Sequence, residues 1–267
     1  MDEFIKYFSR AERAANVARE KIESAKTQGL AKLDLSDLDL VEIPAELFEI
    51  AGQIEHLILD DNKLTYIPDD FAKLRNLKHL SIRGNEIQDL PANFGGLKSL
   101  KKLYLGYNTI SEFPDSITEL QNLEMLNAAG NILSSLPENF GNLKSLEKLS
   151  LHDNLIEKLP LSIGDLPNLR ELYLDSNNLK KFPLELAKLP NLKELILSGN
   201  EFENLPNDLS GFVSLQELVL DENRLEELPA ALAECVSLRL ISVAGNPIRE
   251  GGIPKEIFGK KYLKVEE

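Results

Sequence analysis

Three histidines are the side chains in this 267-residue sequence whose type and spacing first suggest chemistry. His56 and His79 are 23 residues apart, and Asp60 follows the first of them closely. Imidazole nitrogens and carboxylate oxygens bind zinc, so one hypothesis is a metal-dependent enzyme at His56 and His79. Two histidines and one loosely placed carboxylate are a sparse ligand set. We therefore interpret them, with His152, as exposed interaction residues whose binding responds to pH near the unperturbed histidine pKa of about 6.5.

Other residue types that carry catalysis form no pattern in this sequence. Cys235 is the single cysteine, and it occupies a place that leucine fills in other copies of the repeat described below. That placement is typical of a core thiol rather than a nucleophile. The phosphate-binding pattern G-x-x-x-x-G-K-[ST] is missing from the sequence. We predict that the protein is not an enzyme and that it holds no cofactor and no metal.

Composition limits both the compartment and the class of partner. The formal net charge of −14 disfavours nucleic acid, because binding phosphates needs a basic face. No apolar run approaches the ~18–20 residues that span a bilayer, and the opening MDEFIKYFSRAER scatters charges where a signal peptide is apolar. A single cysteine cannot form an internal disulfide, as expected in a reducing compartment. The sequence predicts a cytoplasmic protein that binds neither nucleic acid nor membrane.

A repeat of 23 residues positions these side chains. Its frame is L-x-x-L-x-L-x-x-N-x-L-x-x-L-P-x-x-L-x-x-L-x-x, and nine copies carry the ninth-place Asn while nine carry the fifteenth-place Pro. After an earlier copy that begins at Leu30, the copies begin at Ile54, Leu77, Leu100, Leu123, Leu146, Leu169, Leu192, Leu215 and Leu238. The repeat therefore extends over most of the chain.

Each place in the frame has a physical reason. The L-x-x-L-x-L segment alternates apolar and polar residues, which predicts a short strand with one buried side. The Asn amide can bond the backbone groups of its own turn and of the neighbouring turn, so successive copies form an asparagine ladder. The Leu-Pro step favours an extended segment, and the later L-x-x-L predicts a short helical or 3-10 turn on the outer side.

This frame resembles the leucine-rich repeat family over about residues 30–258. The resemblance implies an α/β fold: a curved, right-handed leucine-rich repeat solenoid with a parallel sheet on its concave side and short helical or 3-10 turns on its convex side. The 23-residue LPxxLxxL form without terminal cysteines looks like the intracellular members, namely the Ras-suppressor-like, Scribble/Erbin-like and Roco proteins and bacterial repeat proteins. It implies a protein-interaction scaffold involved in signalling. An alternative is a regulator of a small GTPase or signalling complex.

The open ends of such an array need covers. We expect residues 1–29 to form an N-terminal capping helix that Gly29 ends, residues 30–258 to form ten repeats, and residues 259–267 to form a C-terminal tail. The predicted packing face of the helix consists of Phe4, Phe8, Ala11, Ala15, Ala18, Ile22 and Ala25. In the other interpretation, an N-terminal apolar cluster docks a membrane or a second subunit. The sequence leaves the oligomeric state open.

Binding is expected on the concave face, at the third, fifth, seventh and eighth places of the frame, because the core does not dictate those residues. The third-place row runs from basic or titratable residues to acidic ones, which predicts either a solvated face or a polarised groove for one protein or peptide. Tyrosines are enriched at binding hot spots, so we centre the site on Tyr104 and Tyr173. The predicted partner-binding residues are Tyr104, Tyr107, Lys102, Lys148, His152, Tyr173, Arg83, His79 and Asp175.

Ala128 is an exception within the frame. Its sixth place holds Leu, Ile or Val in the eight sibling copies that begin between Ile54 and Leu238. Removing a Leu-sized group from a core costs ~2–5 kcal/mol unless the site repacks. We expect Phe113 or Phe140 to fill the space. The alternative is a strand that lies lower and deepens a binding saddle.

Overall fold

The computed structural model of the protein describes residues 2–258 and 264–266, with side chains described from residue 10 to residue 257. The chain forms two compact units, Met1–Ile132 and Leu133–Glu267. Each unit consists of short parallel strands that alternate with 3-10 segments. The buried leucines and isoleucines of the repeat frame form the core of each unit.

The first unit begins with helix α1 (Asp2–Gln28), and its described part continues with strands of three residues each. These strands are β1 Lys32–Asp34, β2 His56–Ile58, β3 His79–Ser81, β4 Lys102–Tyr104 and β5 Met125–Asn127. Each strand pairs in parallel with the next. His56 lies opposite His79, and His79 lies opposite Lys102, so the spacing of the repeat correctly predicts the strand register.

The second unit has the same construction. Its strands are β6 Lys148–Ser150, β7 Glu171–Tyr173, β8 Glu194–Ile196, β9 Glu217–Val219, β10 Leu240–Ser242 and β11 Lys264–Glu266. A four-residue helix, α2 (Lys255–Phe258), follows Pro254. Strand β11 pairs in parallel with β10, although the sequence analysis assigns residues 259–267 to a tail. The segment KKYLKVEE has Tyr262, Val265 and Glu267 at the places where the frame has leucine, so the pattern does not reveal this pairing.

Short 3-10 segments occupy the outer part of most repeats. In the first unit they are Ala45–Ile50, Asp69–Lys73, Phe94–Gly96 and Asp115–Glu119. In the second unit they are Phe140–Asn142, Leu161–Asp165, Leu184–Lys188 and Ala230–Glu234. Six of these segments directly follow an extended proline, as at Pro68 with φ −70° and ψ 153°, whereas Asn93 and Asn139 precede the other two. Since proline has no N–H to donate and a fixed φ, it suits the residue before such a turn, and the predicted extended step is confirmed.

The asparagine ladder is confirmed within each unit. The Asn85 side-chain oxygen accepts from the Leu64 N–H at 3.0 Å, and its amide nitrogen donates to the carbonyls of Leu59 at 3.0 Å and Ile82 at 3.3 Å. The same acceptor role recurs at Asn62, Asn108, Asn131, Asn154, Asn177, Asn200, Asn223 and Asn246. Each amide thereby supplies partners for backbone groups that the turn leaves buried.

Helix α1 ends as the sequence predicts. Gly29 has φ +65°, a conformation that glycine adopts without steric cost. The Leu30 N–H donates to the Ala25 carbonyl at 3.0 Å and the Gly29 N–H donates to the Lys26 carbonyl at 3.4 Å. This pair of bonds is the Schellman arrangement of helix C-termini.

One face of helix α1 is buried against β1 and the 3-10 segment Ala45–Ile50. The buried residues are Ala14, Ala18, Ile22 and Ala25, whereas the predicted face has Ala11 and Ala15 in place of Ala14. Both of those alanines are half-buried. Phe4 and Phe8 lie outside the residues whose side chains are described. The role of α1 as a cap stays a prediction.

The eighth place of the frame has a left-handed backbone throughout the copies that begin between Ile54 and Leu238. The residues are Asp61, Gly84, Tyr107, Gly130, Asp153, Ser176, Gly199, Glu222 and Gly245, with φ between +53° and +71°. Glycine and short polar residues tolerate this conformation best. Tyr107, with φ +57°, is therefore an unusual occupant of this place.

The core position of Ala128 agrees with its place in the frame. Its side chain is fully buried, with 0% exposed. Whether Phe113 or Phe140 supplies the missing volume stays a prediction.

Candidate interaction surface on the strands

The candidate surface of the first unit consists of the side chains at the third and fifth places of β1 to β5 and at the seventh and eighth places that follow each strand. We call it the first strand face. The middle residue of each strand, such as Leu80, is buried, and the residues on either side of it in β2 to β5 are half-buried. Alternation along a strand makes this face independent of the core.

A depression of about 500 Å³ lies on the first strand face. Its floor includes Leu57 and Leu80. The remaining lining residues are Lys32, His56, Ile58, Asp60, His79, Ser81, Arg83 and Tyr104. The depression combines cations, imidazoles and one aromatic ring, a mixture of apolar area and a few polar groups that is typical of ligand sites.

The two histidines of the depression are in ring contact. The ring centroids of His56 and His79 are 4.3 Å apart, and the rings are nearly perpendicular at 87°. Burial lowers the pKa of His79, and the neighbouring His56 and Lys102 lower it further. His79 is consequently a neutral imidazole near pH 7 that can donate and accept one hydrogen bond.

The carboxylate of Asp60 is already bonded within the depression. Its Oδ1 accepts from the Ser81 hydroxyl at 2.6 Å and from the Arg83 N–H at 2.8 Å. These bonds connect the turn after β2 to the residues of β3 and the turn after it. Asp60 therefore fixes the local backbone in addition to contributing charge.

Tyr107 stands at the edge of the first strand face, with 55% of its side chain exposed. The Arg83 guanidinium carbon is 5.8 Å from the centroid of the Tyr107 ring, within the range of a cation–π contact. On its other side the ring lies against Gly130, where an added Cβ would come within 2.8 Å of the ring carbon Cδ1. Arg83 and Gly130 thus hold the Tyr107 ring from two sides.

In the second unit the corresponding face carries a closed network of three side chains. The Lys148 ammonium contacts the Glu171 carboxylate at 2.5 Å and lies 4.7 Å from the centroid of the Tyr173 ring. The Tyr173 hydroxyl donates to Glu171 at 3.0 Å. Burial and this bond to Glu171 raise the pKa of Tyr173, whereas the bond from Lys148 lowers the pKa of Glu171. These three groups satisfy one another.

His152 and Asp175 lie farther along the second unit. His152 Nδ1 is 2.8 Å from an Asp153 carboxylate oxygen. Burial raises the pKa of the Asp175 carboxyl, and nearby His152 opposes this rise. The pair offers polar contacts next to the Tyr173 network.

The predicted partner-binding residues divide between the two units. His79, Arg83, Lys102, Tyr104 and Tyr107 belong to the first strand face, where His79, Arg83 and Tyr104 line the depression. Lys148, His152, Tyr173 and Asp175 belong to the second unit. The predicted set leaves out Lys32, His56 and Asp60, although they also line the depression. Lys32 and His56 occupy the third place of the frame, as His79 does, and Asp60 occupies the seventh place, as Arg83 does. These shared places are the sequence signal that could have identified them.

Among the described residues, the structure adds no third metal-ligating side chain to the hypothetical site at His56 and His79. Within the described residues no group of three or more His, Cys, Asp or Glu side chains comes together. Cys235 is buried, and its thiol is 3.5 Å from the Leu209 carbonyl oxygen, as predicted for a core residue. None of the helices in the described ranges has the length and apolar character needed to cross a membrane.

Family models match most of the chain. The model described as leucine rich repeat matches residues 28–87, 132–179 and 190–248. The model for two copies of the repeat matches residues 75–119 and 167–210. A comparison with curated proteins found no match.

Solved structures give the same result. A leucine-rich repeat protein of Leptospira interrogans is similar with a TM-score of 0.84 and 32% identity, over 92% of this chain and 62% of that one. The plant peptide hormone receptor RGFR1 in complex with RGF2 is similar with a TM-score of 0.72 and 30% identity, over 84% of this chain and 37% of the receptor chain. The PEPR1–AtPEP1 structure is similar with a TM-score of 0.73 and 27% identity, over 88% of this chain and 34% of that one. This chain therefore spans less than two thirds of each matched protein.

Proposed function

The chain belongs to the leucine-rich repeat family, and we propose that it is a non-catalytic interaction module that binds a protein or peptide on its first strand face. The single observation that carries this proposal is Tyr107. An exposed aromatic side chain occupies a left-handed backbone position there, beside the depression that Tyr104 lines.

Apart from the contacts of its ring with Arg83 and Gly130, the fold gains nothing evident from a tyrosine at this place. A left-handed conformation costs ~1–2 kcal/mol for a residue with a Cβ, and four sibling copies have glycine instead, at Gly84, Gly130, Gly199 and Gly245. Residues held in costly conformations cluster at functional sites. Rigid tyrosines bordered by arginine are also the residue types that dominate binding hot spots.

Similar structures support the same class of function. One of them is a plant peptide hormone receptor in complex with RGF2. That binding belongs to the receptor, but it agrees with a peptide or protein partner for this chain. Parallel strands with half-buried, non-core side chains provide such a surface without any catalytic group.

The test uses substitution Tyr107→Gly, which restores the residue found in the sibling copies. A display library of random linear peptides is selected on the wild-type protein, and the affinity of an enriched peptide is measured by fluorescence anisotropy. We expect Tyr107→Gly to weaken binding at least about tenfold, or ~1.4 kcal/mol. The melting temperature should stay equal or rise, because the backbone penalty is removed.

Tyr66→Ala is the matched control. Tyr66 is another exposed tyrosine of the first unit, with 53% exposed, and it lies at the thirteenth place of its copy, away from the strand face. Its removal should change the affinity by less than about twofold, as for a residue outside a hot spot. Equal binding by wild type, Tyr107→Gly and Tyr104→Ala would contradict the proposal, and so would a selection that enriches no peptide.

A further inference from the structure

We propose that the partner of the first strand face is an acidic peptide segment, with an Asp, Glu or C-terminal carboxylate bound in the depression between Lys32, His56, His79 and Arg83. This inference rests on the proposed function and names the chemical class of its partner. The argument comes from which charges of the first unit are neutralised within the fold and which are not.

Second-place residues of adjacent copies neutralise one another. Lys78 pairs with Glu55 at 2.7 Å, and Lys101 pairs with Glu124 at 2.7 Å. Opposite charges in neighbouring strands are the arrangement that favours folding. This row therefore has no charge left for a partner.

Third-place residues of the same copies have the opposite arrangement. Lys32 lies opposite His56, His56 opposite His79, and His79 opposite Lys102. No carboxylate stands in this row between Lys32 and Lys102, so the row does not neutralise its own positive charge. Among the described residues, Lys32, Lys102 and Arg83 take part in none of the ion pairs, which leaves three cations available to an anionic partner.

Asp60 does not cancel this positive charge. Two permanent cations, Lys32 and Arg83, line the depression with this one carboxylate. One Asp60 oxygen already accepts hydrogen bonds from the Ser81 hydroxyl and from the backbone N–H of Arg83. The Arg83 guanidinium stays free of Asp60 and can form the paired bonds that arginine makes with carboxylates.

His79 adds a pH dependence. The groups that face His79 are His56, Lys101 and Lys102, which lower its pKa, and Glu124, which raises it. A bound carboxylate adds a negative charge and raises the pKa of His79. By linkage, binding must then tighten as pH falls, up to tenfold for each pKa unit of that rise.

The depression also has the size and walls for a peptide side chain. Its volume of about 500 Å³ lies within the range of pre-formed ligand sites. Ile58 and Tyr104 supply apolar wall on the strand face next to the charged groups. A carboxylate therefore finds cations at one side, while the neighbouring peptide residue contacts the tyrosine ring.

The experiment selects a random linear peptide library on the wild-type protein at pH 6.0 and again at pH 8.0. We expect Asp and Glu to be enriched over the starting library, and more strongly at pH 6.0. An enriched peptide is then compared with a neutral counterpart, in which Asn replaces Asp, Gln replaces Glu and the C-terminus is amidated. The neutral peptide should bind at least about tenfold more weakly. Arg83→Gln should lose a similar factor, whereas Arg75→Gln, the same charge change at an exposed arginine outside the depression, should lose less than about twofold.

The double variant His56→Gln, His79→Gln tests the pH dependence separately. The affinity of the wild type should rise about three- to tenfold from pH 8.0 to pH 5.5, and that of the double variant should change by less than about twofold. Peptides that bind at Tyr107 without acidic enrichment, or that keep their affinity for Arg83→Gln, would overturn this inference and leave the proposed function standing. A selection that enriches no peptide would overturn both.

Discussion

Lys148 and Tyr173, two residues of the second unit, are bonded within the fold, and their contact with a partner stays a prediction. Sequence analysis predicts Lys148 and Tyr173 as partner-binding residues, and both of these residues are half-buried. Their ammonium and hydroxyl groups are nevertheless bonded to Glu171. Side-chain rotamers decide this network, and a repeat frame carries no information about rotamers.

The Lys148–Glu171 contact makes a prediction about pH. The pKa of Glu171 is lowered from 4.5 chiefly by the bond from Lys148, so the contact stabilises the folded state above that value and is lost as pH falls through the folded pKa. Lys148→Met should raise the pKa of Glu171 toward or above 4.5, as measured by carbon-detected NMR titration of the carboxyl. Lys158→Met, at an exposed lysine of the same unit, is the control. An unchanged pKa in Lys148→Met would contradict this account.

A ladder asparagine is the second residue whose effect can be predicted. Asn108 accepts from the Ile87 N–H at 3.0 Å and donates to the Ile82 and Leu105 carbonyls at 2.9 and 3.0 Å. Asn108→Ala leaves these buried groups without partners, which should cost about 2–4 kcal/mol in the free energy of unfolding. Chemical denaturation measures this difference.

Asn122→Ala is the matched control for the ladder. The exposed Asn122 makes one bond, to the Lys98 carbonyl at 2.8 Å. Its removal should cost about 1 kcal/mol or less. If both substitutions had the same effect, the ladder would not be the principal polar stabilisation of the turns.

At the scale of elements, helix α1 holds its place through a narrow apolar stripe and several surface bonds. Arg19 pairs with Glu46 at 3.0 Å and Lys26 pairs with Glu49 at 2.7 Å. Both pairs are exposed, and exposed pairs contribute little. The Gln53 side chain also donates to the Ala25 and Leu30 carbonyls, both at 2.8 Å. Burial of the stripe is therefore the main attachment of the helix.

This attachment gives a prediction for Ile22, which is 2% exposed. Ile22→Ala should lower the free energy of unfolding by about 2–4 kcal/mol, because it removes buried volume that the short alanines around it cannot replace. Val17→Ala, at a position 41% exposed on the same helix, should cost less than about 1 kcal/mol. Urea denaturation followed by circular dichroism compares the two. Equal costs would mean that the helix is not held by this stripe.

The secondary-structure elements were predictable where the same residue type occupies the same place in successive copies of the repeat. The frame gives the strands, their register and the ladder because each depends on residue type at a fixed place, as with Asn85 and Leu80. The end of α1 followed from Gly29 in the same way. Strand β11 was missed because the segment around Val265 departs from the L-x-x-L-x-L frame. The buried stripe of α1 was misplaced at Ala14 because adjacent alanines give the helical pattern little contrast.

At the scale of the molecule, a formal charge of −14 coexists with a face whose third places are basic or titratable. Net charge says little about a local surface. The sequence correctly predicts the leucine-rich repeat fold, whereas the binding surface stays a prediction. It did not predict the depression, because that feature depends on the joint placement of side chains such as Asp60 and Arg83 after folding.

The most direct test of the central claim is site-specific photo-crosslinking of a selected peptide. The photoreactive residue p-benzoylphenylalanine replaces Tyr104 in one variant and Tyr66 in another, and mass spectrometry detects the adduct after irradiation. The account predicts that the peptide crosslinks from position 104 and not from position 66, and that unlabelled peptide competes the adduct away. A peptide that retains its affinity but crosslinks only from position 66 would show that binding occurs away from the first strand face.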